Sequence, residues 1–186
     1  MRKILFSLSI FLLASGAWDR VAAEVITEIS YQYYPVPFIE GYTPKQMAHS
    51  ASPLGFLADG RREVGQAKWK ISTPNLISSQ SPDGFCVLQN TQVIMGCLIS
   101  LPRLEGDGSG RRQIDFDEYV EKIRRHEIEH CNIALRHAQL LDVELRGLGL
   151  SNCNGFKENL QAIYDRIVSD CKAEQIRFDE LEPEID

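Results

Sequence analysis

Two long runs with helical periodicity fill the C-terminal part of the chain, and they leave few folds open. In the first, apolar residues recur at spacings of three and four or their multiples: Phe116, Tyr119/Val120, Ile123, Ala134, Leu141 and Leu145. Asp115 is the expected N-cap, with Glu118 three residues on as in a capping box. Gly147 and Gly149 end this run. The second extends from Phe156 to about Leu181, with Leu160, Ile163, Ile167, Cys171 and Phe178 on one side. A connection this short favours antiparallel packing of the two helices.

The first half reads differently. Val25 to Tyr34 is rich in β-branched and aromatic residues and is expected to be a strand closed by Pro35 and Pro37. Thr43-Pro44 is a helix start, with Thr43 as N-cap, and a short helix follows to about Ser50. Gly55 to Gly65 and Pro74 to Gly84 read as loops. Ala67 to Thr73 alternates as a strand with Trp69 and Ile71 inward. Phe85 to Leu101 is one long strand or two short ones, closed by Pro102, and Gly106 to Gly110 is a flexible connector. Strands first and helices last define an α+β class. The expected architecture is a small antiparallel sheet with a short N-terminal helix, packed on a C-terminal antiparallel pair of long helices.

The extreme N-terminus has the form of a secretory signal. Arg2 and Lys3 precede an apolar run of 11 residues, Ile4 to Ala14, which is too short to span a bilayer as a helix. Val21-Ala22-Ala23 places small residues before a cleavage point, so residues 1–23 are expected to be removed and 24–186 to form one domain; a cut after Ala17 is the alternative. The whole chain carries a net charge of −6, and loss of a basic leader takes it to −8. That excess of acid argues against nucleic acid or an anionic membrane as the main partner. After signal removal no integral membrane segment is expected. The destination is then the periplasm or the exterior, where cysteines are read first as disulfide candidates. There are five: Cys86, Cys97, Cys131, Cys153 and Cys171. An odd count leaves at least one free or paired between chains.

The feature that carries chemistry is His126-Glu127-Ile128-Glu129-His130, an H-E-x-x-H on the first long helix. Residues i and i+4 lie about 40° apart around a helix, so both imidazoles can reach one zinc ion. Glu127 sits beside them, placed to act as general base toward a water whose pKa zinc lowers, and then as general acid toward a leaving amine. The motif falls on the apolar stripe between Ile123 and Ala134. Burying such side chains costs free energy unless they are paired or bind metal. The alternative is a solvated charged face, helped by Arg124, Arg125 and Glu129.

A third ligand must come from elsewhere. His137 lies seven residues beyond His130, about 10 Å along an unbroken helix, which is too far for a shared ion; it is expected on the helix surface or behind the site. If the chain turns near Ser151 to Asn154, the residues opposite the motif lie roughly between 172 and 180. That window holds Glu174, Asp179 and Glu180, with Asp170 just outside it.

These residues resemble a bacterial family of predicted secreted zinc-dependent proteases, also filed as a domain of unknown function. The resemblance covers most of the mature chain. It takes in the early Tyr strand, Tyr42-Thr43-Pro44, the Trp69 strand, Cys86 with the Val/Ile-rich strand ending Leu101-Pro102, the HEIEH helix, Cys153 between the helices, and the run Gln175-Ile176-Arg177-Phe178-Asp179. Many members continue with Thr-x-His-Gly, where this chain has Glu182-Pro183-Glu184-Ile185-Asp186. The resemblance implies a single zincin-like domain holding Zn2+ through His126, His130 and a residue of the C-terminal run. An aromatic-Asp arrangement supplies the third ligand in the aspzincin peptidases. That analogy and the hairpin geometry make Asp179 the expected third ligand, with Glu182 and Glu184 as alternatives. Cys86 and Cys153 match family positions, which implies a bridge from sheet to inter-helix loop. Cys131 and Cys171, equidistant from the hairpin turn, are placed to staple the helices; a local Cys86–Cys97 pair and a free buried Cys131 are the alternatives.

The function implied is an exported zinc metallopeptidase acting on a peptide or protein, with Glu127 as general base. Two other classes stay open: a non-catalytic envelope or binding protein that retains the fold, and a metal amidase acting on cell-wall peptides.

Overall fold

Residues 94–105 carry the strongest run of β-favouring apolar side chains, and they form the strand around which the rest is arranged. In a computed structural model that describes residues 25–55, 62–74, 76–106 and 110–182, the elements follow in the order β1 (Ile26–Pro37), α1 (Pro44–Ala51), β2 (Gln66–Ser72), β3 (Ile77–Gln80), β4 (Phe85–Asn90), β5 (Ile94–Glu105), α2 (Arg111–Gly147), β6 (Ser151–Asn152) and α3 (Phe156–Leu181). The expected leader, residues 1–23, lies outside the described residues.

The strands form two three-stranded sheets, ordered β1-β5-β2 and β3-β4-β6. The α+β class is as expected, with the C-terminal helix pair packed against a sheet. One strand departs from the expected antiparallel arrangement: β1 runs parallel to β5, from Ile26↔Ile94 to Pro37↔Glu105. Parallel neighbours need a long crossover, and the intervening α1, β2, β3 and β4 supply it. β2 runs antiparallel to β5, from Ser72↔Ile94 to Gln66↔Ser100.

The prolines do not stop the strands where the sequence suggests. β1 continues through Pro35 and Pro37 because it is an edge strand, where a missing N–H need not break a ladder. β5 continues through Pro102 because its pairing with β2 ends at Ser100, leaving only β1 beside it. The polar stretch Ile77–Gln80, expected as loop, becomes β3 by pairing with β4.

Helix starts follow local chemistry. Thr43 Oγ1 accepts from the Gln46 backbone N–H at 3.3 Å, and Gln46 Oε1 accepts from the Thr43 N–H at 3.0 Å, a reciprocal capping box with Pro44 in the first turn. At α2 the expected Asp115 cap is corrected. The helix begins one turn earlier, at Arg111, directly after Gly110 with φ 94° and no side-chain cap. Arg111, Arg112 and Gln113 are good helix formers, so helix propagates back to the glycine and Asp115 lies inside it.

Met95, Cys97, Ile99 and Leu101 alternate along β5 and are all buried. The Cys97–Cys131 disulfide identifies their face as the one covered by α2. Phe116, Ile123, Ala134, Leu141 and Leu145 of the expected stripe are buried there, joined by Ile133 and Ala138. In β2, Ile71 is fully inside and Trp69 half-buried. Tyr164 of α3 closes over the sheet, its hydroxyl donating to the Ile71 carbonyl at 2.7 Å.

The cysteines resolve into two bridges. Cys86–Cys153 ties β4 to the inter-helix turn, as the family position implies, and is flanked by the β4–β6 pairs Phe85↔Asn152 and Cys86↔Ser151. The expected Cys131–Cys171 staple is corrected, as is a free Cys131 or a Cys86–Cys97 pair: Cys131 bonds Cys97 and leaves Cys171 a buried thiol. Cys131 follows His130 and is turned about 100° from it, toward β5 rather than α3. Burial pushes the Cys171 thiol up to about 11. Two disulfides suit an oxidising compartment, and among the described residues no helix is long and apolar enough to cross a membrane.

Alkylation of the denatured, unreduced protein is expected to label one thiol, on Cys171; labelling of Cys97 or Cys131 would contradict the fold. The paired substitution Cys97→Ala/Cys131→Ala is expected to cost about 2–5 kcal/mol in urea unfolding.

Candidate metal centre

His126 and His130 stand one turn apart on α2, and Asp179 stands in the last turn of α3. The antiparallel packing of the two helices brings the three together. Their ligand atoms all lie within 4.8 Å of one another. His130 Nε2 is 3.2 Å from His126 Nε2, Asp179 Oδ1 is 2.9 Å from His130 Nε2, and it is 3.5 Å from His126 Nε2. Zinc–nitrogen and zinc–oxygen bonds of about 2.0–2.2 Å in tetrahedral geometry separate neighbouring donors by roughly 3.4 Å. The three observed spacings scatter around that value, so the donor set fits a zinc ion in both type and size.

The histidines are sheltered and the acid is open. Side-chain exposure is 8% for His126, 13% for His130 and 56% for Asp179. Phe178, beside Asp179 in the chain, covers both rings: it stacks on His126 with centroids 4.8 Å apart and meets His130 edge-on at 5.0 Å. Burial holds the His126 imidazole below its usual pKa range; His130 adds to the depression, and Asp179 opposes it. A depressed value keeps the ring neutral, the form that binds metal.

Glu127 points elsewhere than Glu129. The Glu127 side chain is buried, 3% exposed, and its carboxylate lies against Gly65, the residue that leads into β2. Glu129 lies toward solvent and accepts from Asn132 at 2.9 Å and Arg136 at 3.1 Å. The two acids of the motif are thus separated by helix rotation into one that faces the sheet and one held in a surface ion pair.

The other candidates are distributed as follows. Glu174 does not join the triad; it pairs with Arg136 at 2.7 Å and with His137 Nε2 at 2.8 Å. Of the two places expected for His137, the helix surface is not the one found: it is 7% exposed in the helix interface, and its buried Nδ1 has no hydrogen-bond partner among the described residues. Asp170 lies 3.7 Å from Arg166. Glu182 is exposed and close enough to act electrostatically on His126. Glu184 lies outside the described residues.

Two residues near the site were given no role by the sequence, although Gln175 heads the run that ends in Asp179. Gln175, one turn before Asp179, is buried and bonds His130 twice, through Oε1 to Nδ1 and through Nε2 to the main-chain oxygen. Glu63 is half-buried on the segment before β2, in the electrostatic field of both Asp179 and His130. Desolvation raises its carboxyl pKa, a hydrogen bond from Gln66 at 2.9 Å opposes this, and Asp179 raises it further. The segment is pinned by the Ser52 hydroxyl to the Glu63 carbonyl and by the buried Tyr34 hydroxyl to the Val64 carbonyl at 2.7 Å. These contacts span non-adjacent parts of the chain, so no local pattern announces them.

A family model matches residues 31–183, and the chain belongs to that family, described as a bacterial protein of unknown function (DUF922). No curated protein and no solved structure matches it. The family description assigns no activity, so membership by itself carries neither zinc nor proteolysis, and a functional conclusion has to come from the site.

Gly65 is required by close approach. A Cβ there would stand 2.3 Å from Ile123 Cγ2 and 2.5 Å from Glu127 Oε1. Gly65→Ala is therefore expected to destabilise the protein by about 1–3 kcal/mol through overpacking, measured by urea denaturation; an unchanged midpoint would contradict this packing.

Proposed function

We propose that the protein is an exported zinc-dependent hydrolase acting on the peptide bond. The observation that carries the proposal is the convergence of His126 Nε2, His130 Nε2 and Asp179 Oδ1 at spacings of 2.9–3.5 Å from two different helices. Three side-chain donors are the number that catalytic zinc sites use, whereas structural sites close all four positions. Asp179, the most exposed of the three, faces solvent from which a substrate can approach.

His126, His130 and Asp179 would hold the ion, which supplies Lewis acidity and makes water nucleophilic near neutral pH. Glu127 is assigned as the proton carrier: its carboxylate takes a proton from the attacking water and returns it to the nitrogen of the departing amine. Its place beside His126 in the motif and its burial against Gly65 support this role, since both keep the carboxylate out of bulk water. The short side chain of Asp179, projecting from a helix end, completes the donor set without crowding the open side. Export is supported by the two disulfides and by the signal-like leader.

Three arms test the proposal. Wild-type protein is expected to carry zinc near 1:1 by mass spectrometry of metals, and Asp179→Ala to lose most of it. Glu127→Gln is expected to keep zinc while losing about 100-fold or more of its hydrolytic rate, assayed on casein and on peptidoglycan in parallel to separate protease from amidase. A native protein devoid of zinc affinity would sink the proposal.

The pH dependence has a definite sign. Metal binding requires neutral imidazoles, and the fold holds His126 below the usual range of about 6.5. Zinc affinity is expected to be retained around neutrality and to fall as acid protonates the rings. In metal-free protein, the same depression makes a stability contribution that is full above the unfolded imidazole value and lost as pH falls through the folded one. Chelator competition and urea denaturation across a pH series read the two effects separately.

A further inference from the structure

The aromatic-Asp run begins with Gln175, to which the hydrolytic proposal gives no task. Gln175 is 7% exposed and lies four residues before Asp179, on the same face of α3. Two of its three side-chain polar contacts go to one residue, the third being Nε2 to Cys171 Sγ at 3.9 Å. Nε2 donates to the His130 main-chain oxygen at 2.9 Å, and Oε1 meets His130 Nδ1.

Those two contacts determine where the protons are. A main-chain carbonyl only accepts, so the NH2 end of the amide must face it. The oxygen end then faces Nδ1. An amide oxygen carries no proton, so the hydrogen in that contact belongs to Nδ1. A neutral imidazole has one N–H, and the lone pair of His130 is therefore on Nε2. Nε2 is the nitrogen 3.2 Å from His126 Nε2 and 2.9 Å from Asp179 Oδ1.

We infer that Gln175 is a positioning residue that selects the Nδ1–H form of His130 and aims its Nε2 lone pair at the point where His126 and Asp179 converge. The Nδ1–H assignment rests on the Gln175 contacts alone, whereas the free lone pair on Nε2 rests on the zinc reading, because Asp179 Oδ1 at 2.9 Å is itself an acceptor toward that nitrogen. Selection is needed because both tautomers of a neutral imidazole are accessible, and only one puts a donor electron pair at the ion. The main-chain contact matters as much as the ring contact. It prevents the amide from turning over and presenting its NH2 to Nδ1, which would reverse the tautomer. Phe178 and Asp179 follow at three and four residues, so one face of α3 orients a ring, covers both rings and adds the third donor.

Nitrogen-15 correlation spectra of the metal-free protein at alkaline pH, together with zinc affinity by chelator competition, test the inference. Wild type is expected to show His130 with its proton on Nδ1. Gln175→Leu is expected to mix the tautomers and to weaken zinc binding about 10–100-fold, with helix content unchanged by circular dichroism. Gln175→Glu, whose carboxylate accepts the same proton, is expected to restore the Nδ1–H form and most of the affinity. His130 protonated on Nε2 in a wild type that binds zinc would overturn this assignment alone, as would a folded Gln175→Leu that binds zinc as tightly as wild type. A wild type without zinc affinity, in which Gln175→Leu still disturbs an Nδ1–H His130, would overturn the zinc proposal and leave the proton assignment standing.

Discussion

Neighbouring side chains on an α-helix are separated by about 100°, and α2 depends on that rotation throughout its middle turns. His126 and His130 look toward α3, Glu127 toward the segment entering β2, Glu129 toward solvent, and Cys131 toward β5. A five-residue motif and one cysteine thereby serve four different surroundings. The Cys97–Cys131 bond fixes the rotation of α2 against the central strand. With the rotation fixed at residue 131, the directions of residues 126, 127 and 130 follow.

The second helix completes what the first begins. Most of the HEIEH face is local to α2, but two histidines alone would leave a metal half-coordinated. The Cys86–Cys153 bond holds the turn between the helices against β4, and the helix pair inherits its register from that anchor. Over the length from the turn to the site, this register decides whether Asp179 or some other acid meets the rings. The same register sets Glu174 against Arg136 and His137, a cluster adjacent to the triad that holds the helices together without sharing its donors.

Much of this was legible in the sequence where information is local. The two long helices, the Thr43 cap, the β2 strand and the HEIEH face all follow from periodicity or from contacts within four residues. Asp179 was reachable because a hairpin of known turn position maps one helix onto the other, and because the aromatic-Asp run resembles a known arrangement. The parallel pairing of β1 with β5 was not legible, since nothing in either strand names its partner across α1 and three other strands. Cys131 was assigned to the wrong neighbour for a related reason: distance from the hairpin turn gives position along a helix but not the rotation that decides which layer a side chain faces. Gln175 heads the run that carries the resemblance, but its partner His130 is 45 residues away, so the run alone gives it no task; Glu63 has no pattern to mark it.

The last turn of α3 contains no basic residue, and Asp179, Glu180 and Glu182 lie within or just beyond it. A helix ends in unsatisfied carbonyls that amount to roughly half a negative charge, and acids placed there oppose the dipole by about 0.3–1 kcal/mol each. The C-terminal end of α3 is thus electrostatically frustrated, held in place mainly by Phe178 and the contacts of Gln175. A divalent cation lodged between the helices would reverse the sign of that frustration, neutralising the carboxylate and the carbonyl dipoles together. Order at the end of α3 and occupancy of the site would then be one equilibrium, with the ion as the helix's missing positive cap.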